Sequence, residues 1–228
     1  SHTTVLTVAP TLLVAVPDGM DPAHAAVLPL DGITAAYALE LAGAAPRILV
    51  QGAAGAVGML AVQLAQRSGR TVVGTASERS RDTVSDLGIP VVDYSARDWP
   101  QQVREAAGGP VDAVIDHTGS SRVREALAPD GVVVRTAFPG RQGHEHVDAL
   151  AGAARTARSR SERVCSTPFL IATRRNDYRR ALASLLADAA SGALRTAQPD
   201  VIPLADVWDA HRAAEASPPG RKVVLALR

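Results

Sequence analysis

A short apolar run that leads through a glycine-rich bend into a helix constrains the fold more than any other feature. Residues 47–51 read Arg-Ile-Leu-Val-Gln, the bend reads Gly52-Ala-Ala-Gly55-Ala-Val-Gly58, and residues 56–67 have the apolar spacing of a helix. A strand that turns into a helix through glycine opens a βαβ unit. The bend needs small residues because backbone amides must approach a bound group closely. We therefore predict that a dinucleotide diphosphate binds against the unpaired amides and positive dipole end of this helix.

Apolar runs and helical patterns continue to alternate after the bend. Strands are predicted at 71–76, 89–93, 111–115 and 131–135, and helices at 80–87, 98–107 and 120–127. Such alternation is typical of a parallel sheet with helices on both faces. The predicted fold class is α/β, a Rossmann-type doubly wound parallel sheet, over residues 31–198.

The two ends of the chain lack this rhythm. Residues 4–16 have the pattern of an extended strand, and 22–43 that of a helix with a hinge near Pro29 and Gly32. Near the other end, helices are predicted at 176–190 and 204–216, and strands at 200–202 and 222–227. We expect residues 1–30 and 199–228 to form a remnant of a second, smaller β domain.

The end of the second predicted strand bears on the choice of cofactor. Enzymes that use NAD usually place an Asp or Glu there to bind the ribose 2′-hydroxyl. Here Ser77 is followed by Glu78, Arg79 and Arg81, with one serine between the arginines. A hydroxyl with one or two guanidinium groups suits a 2′-phosphate, which predicts NADPH. Glu78 keeps NADH open as the alternative, and a solvated helix start would also explain these residues.

Composition limits the partners. The formal net charge of +1 gives no reason to expect nucleic acid, and no apolar run is long enough to span a bilayer. The single cysteine, Cys165, excludes an internal disulfide. His144 and His146 lack a third ligand nearby in the sequence, so we predict no metal site. We expect a cytoplasmic protein without a membrane partner.

Two longer segments resemble a known family. Residues 26–39 and 48–65 are similar to the zinc-independent quinone oxidoreductases and to the enoylreductase domains of modular polyketide synthases. Both belong to the medium-chain dehydrogenase/reductase superfamily, and residues 202–211 and 220–225 match the same pattern. Members of this family begin with a domain like the chaperonin GroES, whereas this chain opens at what resembles the last strand of that domain. Whether the natural protein carries it stays open here.

The resemblance implies a cofactor site. Residues 54–57 would contact the diphosphate through their backbone amides. Ser77 with Arg79 or Arg81, after the second strand, would bind the 2′-phosphate, and Tyr94 would flank the adenine. Thr118 and Gly119, after the fourth strand, and Ala137 and Phe138, after the fifth, would line the nicotinamide channel. Core packing explains Phe138 equally well. His117 would be either a proton donor or a polar neighbour of the ribose. The full set is Thr34, Gly52, Ala54, Gly55, Ala56, Val57, Ser77, Arg79, Arg81, Tyr94, Thr118, Gly119, Ala137 and Phe138.

The resemblance also implies an activity. We expect NADPH-dependent reduction of an activated carbon–carbon double bond in an enone, a quinone or an enoyl thioester, on a small-molecule or carrier-bound acyl substrate. The alternatives are a cofactor-binding module without turnover and a relative with non-redox chemistry such as cyclisation. The sequence identifies no catalytic residue. A homodimer is expected through the run 164–172, predicted as an edge strand.

Overall fold

The computed structural model describes residues 3–138 and 145–227, and the side chains of residues 145–147 lie outside the description. In chain order the helices are α1 Pro22–Ala26, α2 Leu28–Leu41, α3 Ala56–Arg67, α4 Arg81–Ser85, α5 Trp99–Ala106, α6 Val123–Ala126, α7 Glu145–Ala157, α8 Thr167–Thr173, α9 Arg175–Ala190 and α10 Val207–Ala216. The strands are β1 Arg47–Val50, β2 Thr71–Ala76, β3 Val91–Asp93, β4 Val111–Asp116, β5 Leu127–Arg135, β6 Glu162–Val164, β7 Gln198–Pro203 and β8 Arg221–Ala226.

The chain divides into two compact units. One comprises Thr34–Ser166, and the other comprises Ser1–Ile33 together with Thr167–Arg228. This division differs from the predicted one because it places α8 and α9 with the smaller unit. Within that unit, Gly32 of α2 lies against the buried Leu185 of α9, where an added Cβ would stand 3.0 Å from the leucine Cδ1.

The larger unit is built on a six-stranded parallel sheet in the order β3-β2-β1-β4-β5-β6. Its central strands are apolar runs buried on both faces, as a parallel sheet covered by helices requires. Valines of β2, β4 and β5 pack with Trp99 and Val103 of α5 in one core cluster. The predicted Rossmann-type α/β fold is confirmed.

The smaller unit holds a two-stranded parallel sheet of β7 and β8. Arg221 of β8 forms an ion pair with Asp200 of β7, and Lys222 Nζ lies 2.8 Å from the buried carboxylate of Asp31 on α2. These contacts fix β8 to its neighbouring strand and to the start of α2.

Two segments predicted as strands are not strands. Residues 4–16 contain only a turn of 3-10 helix at Pro10–Leu12, and Val5, Leu6 and Leu13 are exposed. A strand needs a neighbour for its backbone hydrogen bonds, and in the described ranges β7 and β8 pair only with each other. The predicted edge at 164–172 is mostly α8, since Pro168 in the first turn favours a helix. Only the three residues of β6 form the edge strand.

Candidate functional site

The bend after β1 is fixed by the neighbouring strand β2. The amide of Gly52 donates to Thr75 Oγ1 at 3.0 Å, and the amide of Ala53 donates to the Thr75 carbonyl at 2.8 Å. The same Thr75 hydroxyl donates to Gln51 Oε1 at 2.9 Å. Thr75 is fully buried, so the chain's direction at the end of β1 is set by a bonded group that solvent does not reach.

Two glycines of the bend occupy positions that a side chain could not share. A Cβ at Gly52 would lie 2.1 Å from His117 Cε1, and one at Gly58 would lie 2.4 Å from the Gly52 carbonyl oxygen. Gly52 also has φ +67°, a conformation that favours glycine. A Cβ at Gly55 would meet only the Gly52 oxygen, at 3.4 Å. Close packing therefore requires Gly52 and Gly58, whereas Gly55 borders open space.

The first turn of α3 offers backbone donors to that space. The first helical bond runs from the Met59 amide to the Gly55 carbonyl at 2.9 Å, and no side chain caps the helix at Gly55. The amides of Ala56 and Val57 precede this bond and therefore have no acceptor within the helix. Ala54 is buried beneath the bend. A narrow bend with unpaired amides at a positive helix end fits the diphosphate of a dinucleotide.

His117 lies beside this bend. Its Nδ1–H donates to the Gln51 carbonyl at 3.1 Å, which directs Nε2 away from β1 and holds the ring over Gly52. His117 is exposed, and its ring borders the bend at Gly52. His117 as a proton donor stays a prediction.

The residues after β2 are mostly exposed. Ser80 is buried and its hydroxyl lies 2.8 Å from the hydroxyl of Ser77, which is half-buried. Glu78 and Arg79 point into solvent, and Arg79 has no side-chain partner among the residues that the structure describes. This arrangement leaves one guanidinium free at the end of β2.

The charge of Arg81 acts on Asp93, an acidic residue that was not among the predicted site residues. Asp93 ends β3 and accepts hydrogen bonds from the amide and the hydroxyl of Ser95, each at 2.8 Å. These bonds and the charge of Arg81 lower the pKa of Asp93. Tyr94 follows with 49% of its surface exposed, as a residue that flanks a bound ring would need. The adjacent register of Ala76 and Asp93 brings the ends of β2 and β3 together.

A buried carboxylate organises the loop after β4. Asp116 has no exposed surface and accepts from the Thr118 amide at 3.0 Å, the Thr118 hydroxyl at 2.6 Å and the Gly119 amide at 3.0 Å. The Arg135 guanidinium of β5 forms an ion pair with the same carboxylate. The two predicted nicotinamide-lining residues, Thr118 and Gly119, are therefore held by a group at the very end of their own strand.

Arg135 extends this network to the sheet edge. Its second nitrogen lies 3.1 Å from Glu162 Oε1 of β6, and Glu162 also pairs with Arg124 and accepts from the Thr156 hydroxyl at 3.1 Å. Burial acts to raise the pKa of Glu162, but the hydrogen bond and charge of Arg135, with Thr156 and Arg124, leave that pKa lowered. The network joins the loop after β4 to α7 and β6.

The residues after β5 and on α2 occupy different surroundings. Phe138 packs on α7, where a Cβ at Gly152 would lie 2.7 Å from its ring, and Ala137 is exposed. Thr34 is buried on α2, and its carbonyl accepts a weak hydrogen bond from Cys165 Sγ at 3.6 Å, just beyond β6. Burial raises the pKa of the Cys165 thiol to about 12.

The predicted site residues share one edge of the sheet. Gly52, Ser77, Tyr94, Thr118 and Ala137 each follow the carboxyl end of a parallel strand, and such ends meet at one side. The strand order reverses between β1 and β4, which is where ligands bind in open α/β sheets. Thr34 lies on α2, and its carbonyl contacts Cys165 just beyond β6.

The sequence interpretation missed three supporting groups. Thr75 and Arg135 lie inside the predicted strands 71–76 and 131–135 and looked like ordinary strand residues, and Asp116, directly after the predicted strand 111–115, was placed at the ligand-binding edge without a role of its own. The sequence indicates such residues only by a polar side chain at the carboxyl end of a buried strand, because a buried polar group needs a bonding partner.

Other features bear on metal and membrane association. The described residues include no group of three or more His, Cys, Asp and Glu side chains able to hold a metal ion. His144 lies outside the described residues, as do the side chains of Glu145 and His146, so the expected absence of a metal site stays a prediction. Across residues 3–138 and 145–227, none of the helices has the length and apolar character of a membrane span.

Curated relatives match the chain over part of their length. Erythronolide synthase EryA2 of Saccharopolyspora erythraea is 39% identical over 133 residues, 54% of this chain and 4% of that protein. A phenolphthiocerol/phthiocerol polyketide synthase of Mycobacterium tuberculosis is 28% identical over 225 residues, covering 95% of this chain and 10% of the relative. A 2-haloacrylate reductase of Burkholderia sp. is 36% identical over 114 residues, 47% of this chain and 34% of the relative.

Solved structures match nearly the whole chain. The CurK enoyl reductase has a TM-score of 0.77 at 25% identity, over 97% of this chain and 67% of its own. The quinone oxidoreductase of Coxiella burnetii has a TM-score of 0.75 at 26% identity, over 96% and 65% respectively. The chain thus spans about two thirds of these structures and a small part of the polyketide synthases.

A family model described as zinc-binding dehydrogenase matches residues 56–188, which run from the first turn of α3 into α9. That range contains β2 to β6 and most of the polar groups at their carboxyl ends. The family's fold implies a pyridine nucleotide cofactor, which agrees with the glycine bend and the unpaired amides. The chain therefore belongs to the zinc-binding dehydrogenase family of the medium-chain dehydrogenase/reductase superfamily, among relatives that include enoyl reductases and quinone oxidoreductases.

Proposed function

We propose that this chain binds NADPH and serves the reduction of an activated carbon–carbon double bond in an enone, a quinone or an enoyl thioester. The observation that carries the proposal is the glycine bend at the reversal of strand order, with Gly55 beside open space and the first amides of α3 unpaired. When bound, the nicotinamide supplies the hydride. The chain's own residues hold the dinucleotide and orient its two ends.

Each side of the sheet edge has a distinct task in this proposal. The bend and Ala56 and Val57 bind the diphosphate through backbone amides, so that binding there does not depend on side-chain charge. Asp116 fixes the loop of Thr118 and Gly119 that borders the reacting end.

The choice of NADPH over NADH rests on Arg79. Its guanidinium has no partner at the end of β2 in the described chain, whereas the positive charge of Arg81 interacts with the carboxylate of Asp93. A charge-assisted bond to a 2′-phosphate contributes about 1.5–3 kcal/mol, which corresponds to roughly 10- to 100-fold in affinity. Fluorescence titrations should therefore show Arg79→Gln weakening NADPH by about this factor with NADH unchanged.

A matched variant controls for loss of surface charge. Arg160→Gln removes an exposed arginine whose side chain has no partner in the described chain, and it should leave both affinities unchanged. Equal affinity of the wild type for the two cofactors, or an equal loss for both in Arg79→Gln, would reject the NADPH assignment.

Turnover is tested separately. Crotonyl thioester or a simple enone added to the NADPH-loaded protein should lower the absorbance of the reduced nicotinamide. Binding without this decay would favour the alternative of a cofactor-binding module without turnover.

Cyclisation is a second candidate with an observation of its own. A structure described as an ER cyclopropanase of the curacin A pathway, CurF, has a TM-score of 0.75 at 25% identity over 96% of this chain and 66% of its own. Product analysis by mass spectrometry distinguishes the two, because reduction of the double bond adds two hydrogens and isomerising ring closure adds none.

We further propose a cytoplasmic homodimer that acts on a small-molecule or carrier-bound acyl substrate. The support for the dimer is β6, whose three residues leave one edge of the six-stranded sheet open in the described chain. Unpaired strand edges are surfaces for pairing with a second chain. The backbone groups of Ser161 and Cys165 bond to β5, so the amide of Val164 faces the open side of β6. Sedimentation of the wild type and of Val164→Pro, which removes that outward donor, tests the proposal: we expect a wild-type dimer that the variant loses.

A further inference from the structure

A cavity of about 490 Å³ lies within the larger unit, beside the predicted nicotinamide-lining residues. Gly119 and Phe138 form one side of it, α7 forms another, and Arg124, Arg135 and Glu162 line the remainder. The volume is in the range of small-molecule sites, which are about 300–1,000 Å³. The proposed cofactor site explains Gly119 and Phe138 but not the charged groups behind them.

Three arginines and two carboxylates line this cavity, and they differ in whether they have a partner. Arg124 and Arg135 both pair with Glu162, and Arg135 also pairs with the buried Asp116. Arg155, one turn from Gly152 on α7, lines the same cavity and has no partner in the described chain. Asp148 also lines it and has a polar interaction of its own.

The geometry therefore provides a free guanidinium at the cavity wall and a second, Arg135, held almost fully out of solvent. Arg135 is fixed by two carboxylates, so it presents a rigid charged wall without being available as a mobile side chain. Arg155 is the group left to meet a ligand. A guanidinium in such a position suits an oxyanion with two acceptor atoms.

We infer that this cavity is a subsite for an oxyanion carried by the substrate, a phosphate or a carboxylate, with Arg155 as its recognition residue. The inference rests on the proposed function, since it places the substrate beside Gly119 and Phe138. The ring of Phe138 and the small residues Ala151 and Gly152 leave an apolar wall for the adjoining carbon chain.

The direct test is a binding titration that needs no turnover. Calorimetry with pantetheine 4′-phosphate, in the presence of saturating NADPH, should show saturable binding that weakens about 10-fold or more in Arg155→Gln. Inorganic phosphate and acrylate, titrated in the same way, establish whether phosphate or carboxylate is preferred. If NADPH itself abolishes the binding, the anion belongs to the cofactor and the inference is wrong.

Arg158→Gln is the matched control. Arg158 follows α7, is exposed, and donates to the Ala154 carbonyl, and it does not line the cavity. Equal weakening in Arg155→Gln and Arg158→Gln would indicate a diffuse basic surface and overturn the inference. So would wild-type binding that Arg155→Gln leaves intact, or no binding of any of the three anions.

The failure of this inference is separable from that of the proposed function. NADPH affinity and the reduction of a neutral enone test the function, and both should be unchanged in Arg155→Gln. With a crotonyl thioester of phosphopantetheine, the same variant should raise KM about 10-fold at unchanged kcat. A loss of kcat on the neutral enone would show instead that Arg155 serves the protein's structure.

Discussion

Replacement of Arg135 by methionine removes the central cation of the buried network at the end of β5. The side chain is 8% exposed and pairs with Asp116, which is 0% exposed, and with Glu162, which is 10% exposed. Removal of one member of a buried ion pair costs about 3–5 kcal/mol, because the other charge stays buried without compensation. Methionine keeps most of the volume, so the loss reports the charge more than a cavity.

The structure places the expected cost at the lower end of that range. Asp116 keeps its three hydrogen bonds from Thr118 and Gly119, and Glu162 keeps Arg124 and Thr156. We expect a loss of about 3 kcal/mol. With a urea slope of about 3 kcal/mol per M, the unfolding midpoint at pH 7 should fall by about 1 M.

A double variant and a surface control identify the cause. Asp116→Asn in the Arg135→Met background removes the uncompensated charge and should recover at least half of the loss. Arg212→Met removes an exposed ion pair with Asp209 and should change stability by less than about 1 kcal/mol. An Arg135→Met variant as stable as the wild type would refute the reasoning, as would a double variant less stable than the single one.

Three further predictions follow from single residues. Gly58→Ala should lower stability and weaken NADPH binding more than 10-fold by fluorescence titration, because its Cβ would lie 2.4 Å from the Gly52 oxygen; wild-type affinity would contradict this. Cys165 should resist a thiol-specific disulfide reagent in the native state, since its pKa of about 12 leaves almost no thiolate at pH 8, and react at once in denaturant; rapid native reaction would contradict its burial. The pKa of Glu162 is lowered in the folded state, so ionised Glu162 stabilises the fold above its ordinary pKa of 4.5, and this contribution is lost as pH falls through the folded pKa. Glu162→Gln should therefore make the urea midpoint depend less on pH between about pH 3 and 5, and an unchanged pH profile would exclude this role.

The local parts of the fold were predictable because their causes are local. Helix α3 begins and ends at the predicted residues, 56 and 67, since a glycine bend and a run of good helix formers determine both ends. Strands β1 to β5 were found as apolar runs, and their parallel direction followed from the alternation with helices, whereas β6 was not predicted. The hinge predicted near Pro29 and Gly32 is found only near Pro29, with α1 ending at Ala26 and α2 starting at Leu28, because Gly32 lies inside the continuous helix α2.

The parts that failed depend on neighbours far away in the chain. Arg135 meets Asp116 across 19 residues and Glu162 across 27, and nothing local to β5 indicates that pairing. Residues 4–16 have the composition of a strand, but no strand of the described residues pairs with them. Residues 164–172 are apolar enough for either a strand or a helix. Sequence patterns identify which residues reach the sheet edge, whereas tertiary contacts decide which charges remain free there.

In the proposed complex, backbone amides at the start of α3 hold the diphosphate of a nicotinamide dinucleotide. The most direct measurement is a titration of the ¹⁵N-labelled protein with NADPH, monitored by amide resonances. We expect saturable shifts that are largest at Ala56, Val57 and Gly58, with the resonances of α9 unaffected. Saturable NADPH binding that leaves these three amides unchanged would rule out this binding mode, and so would the absence of any binding.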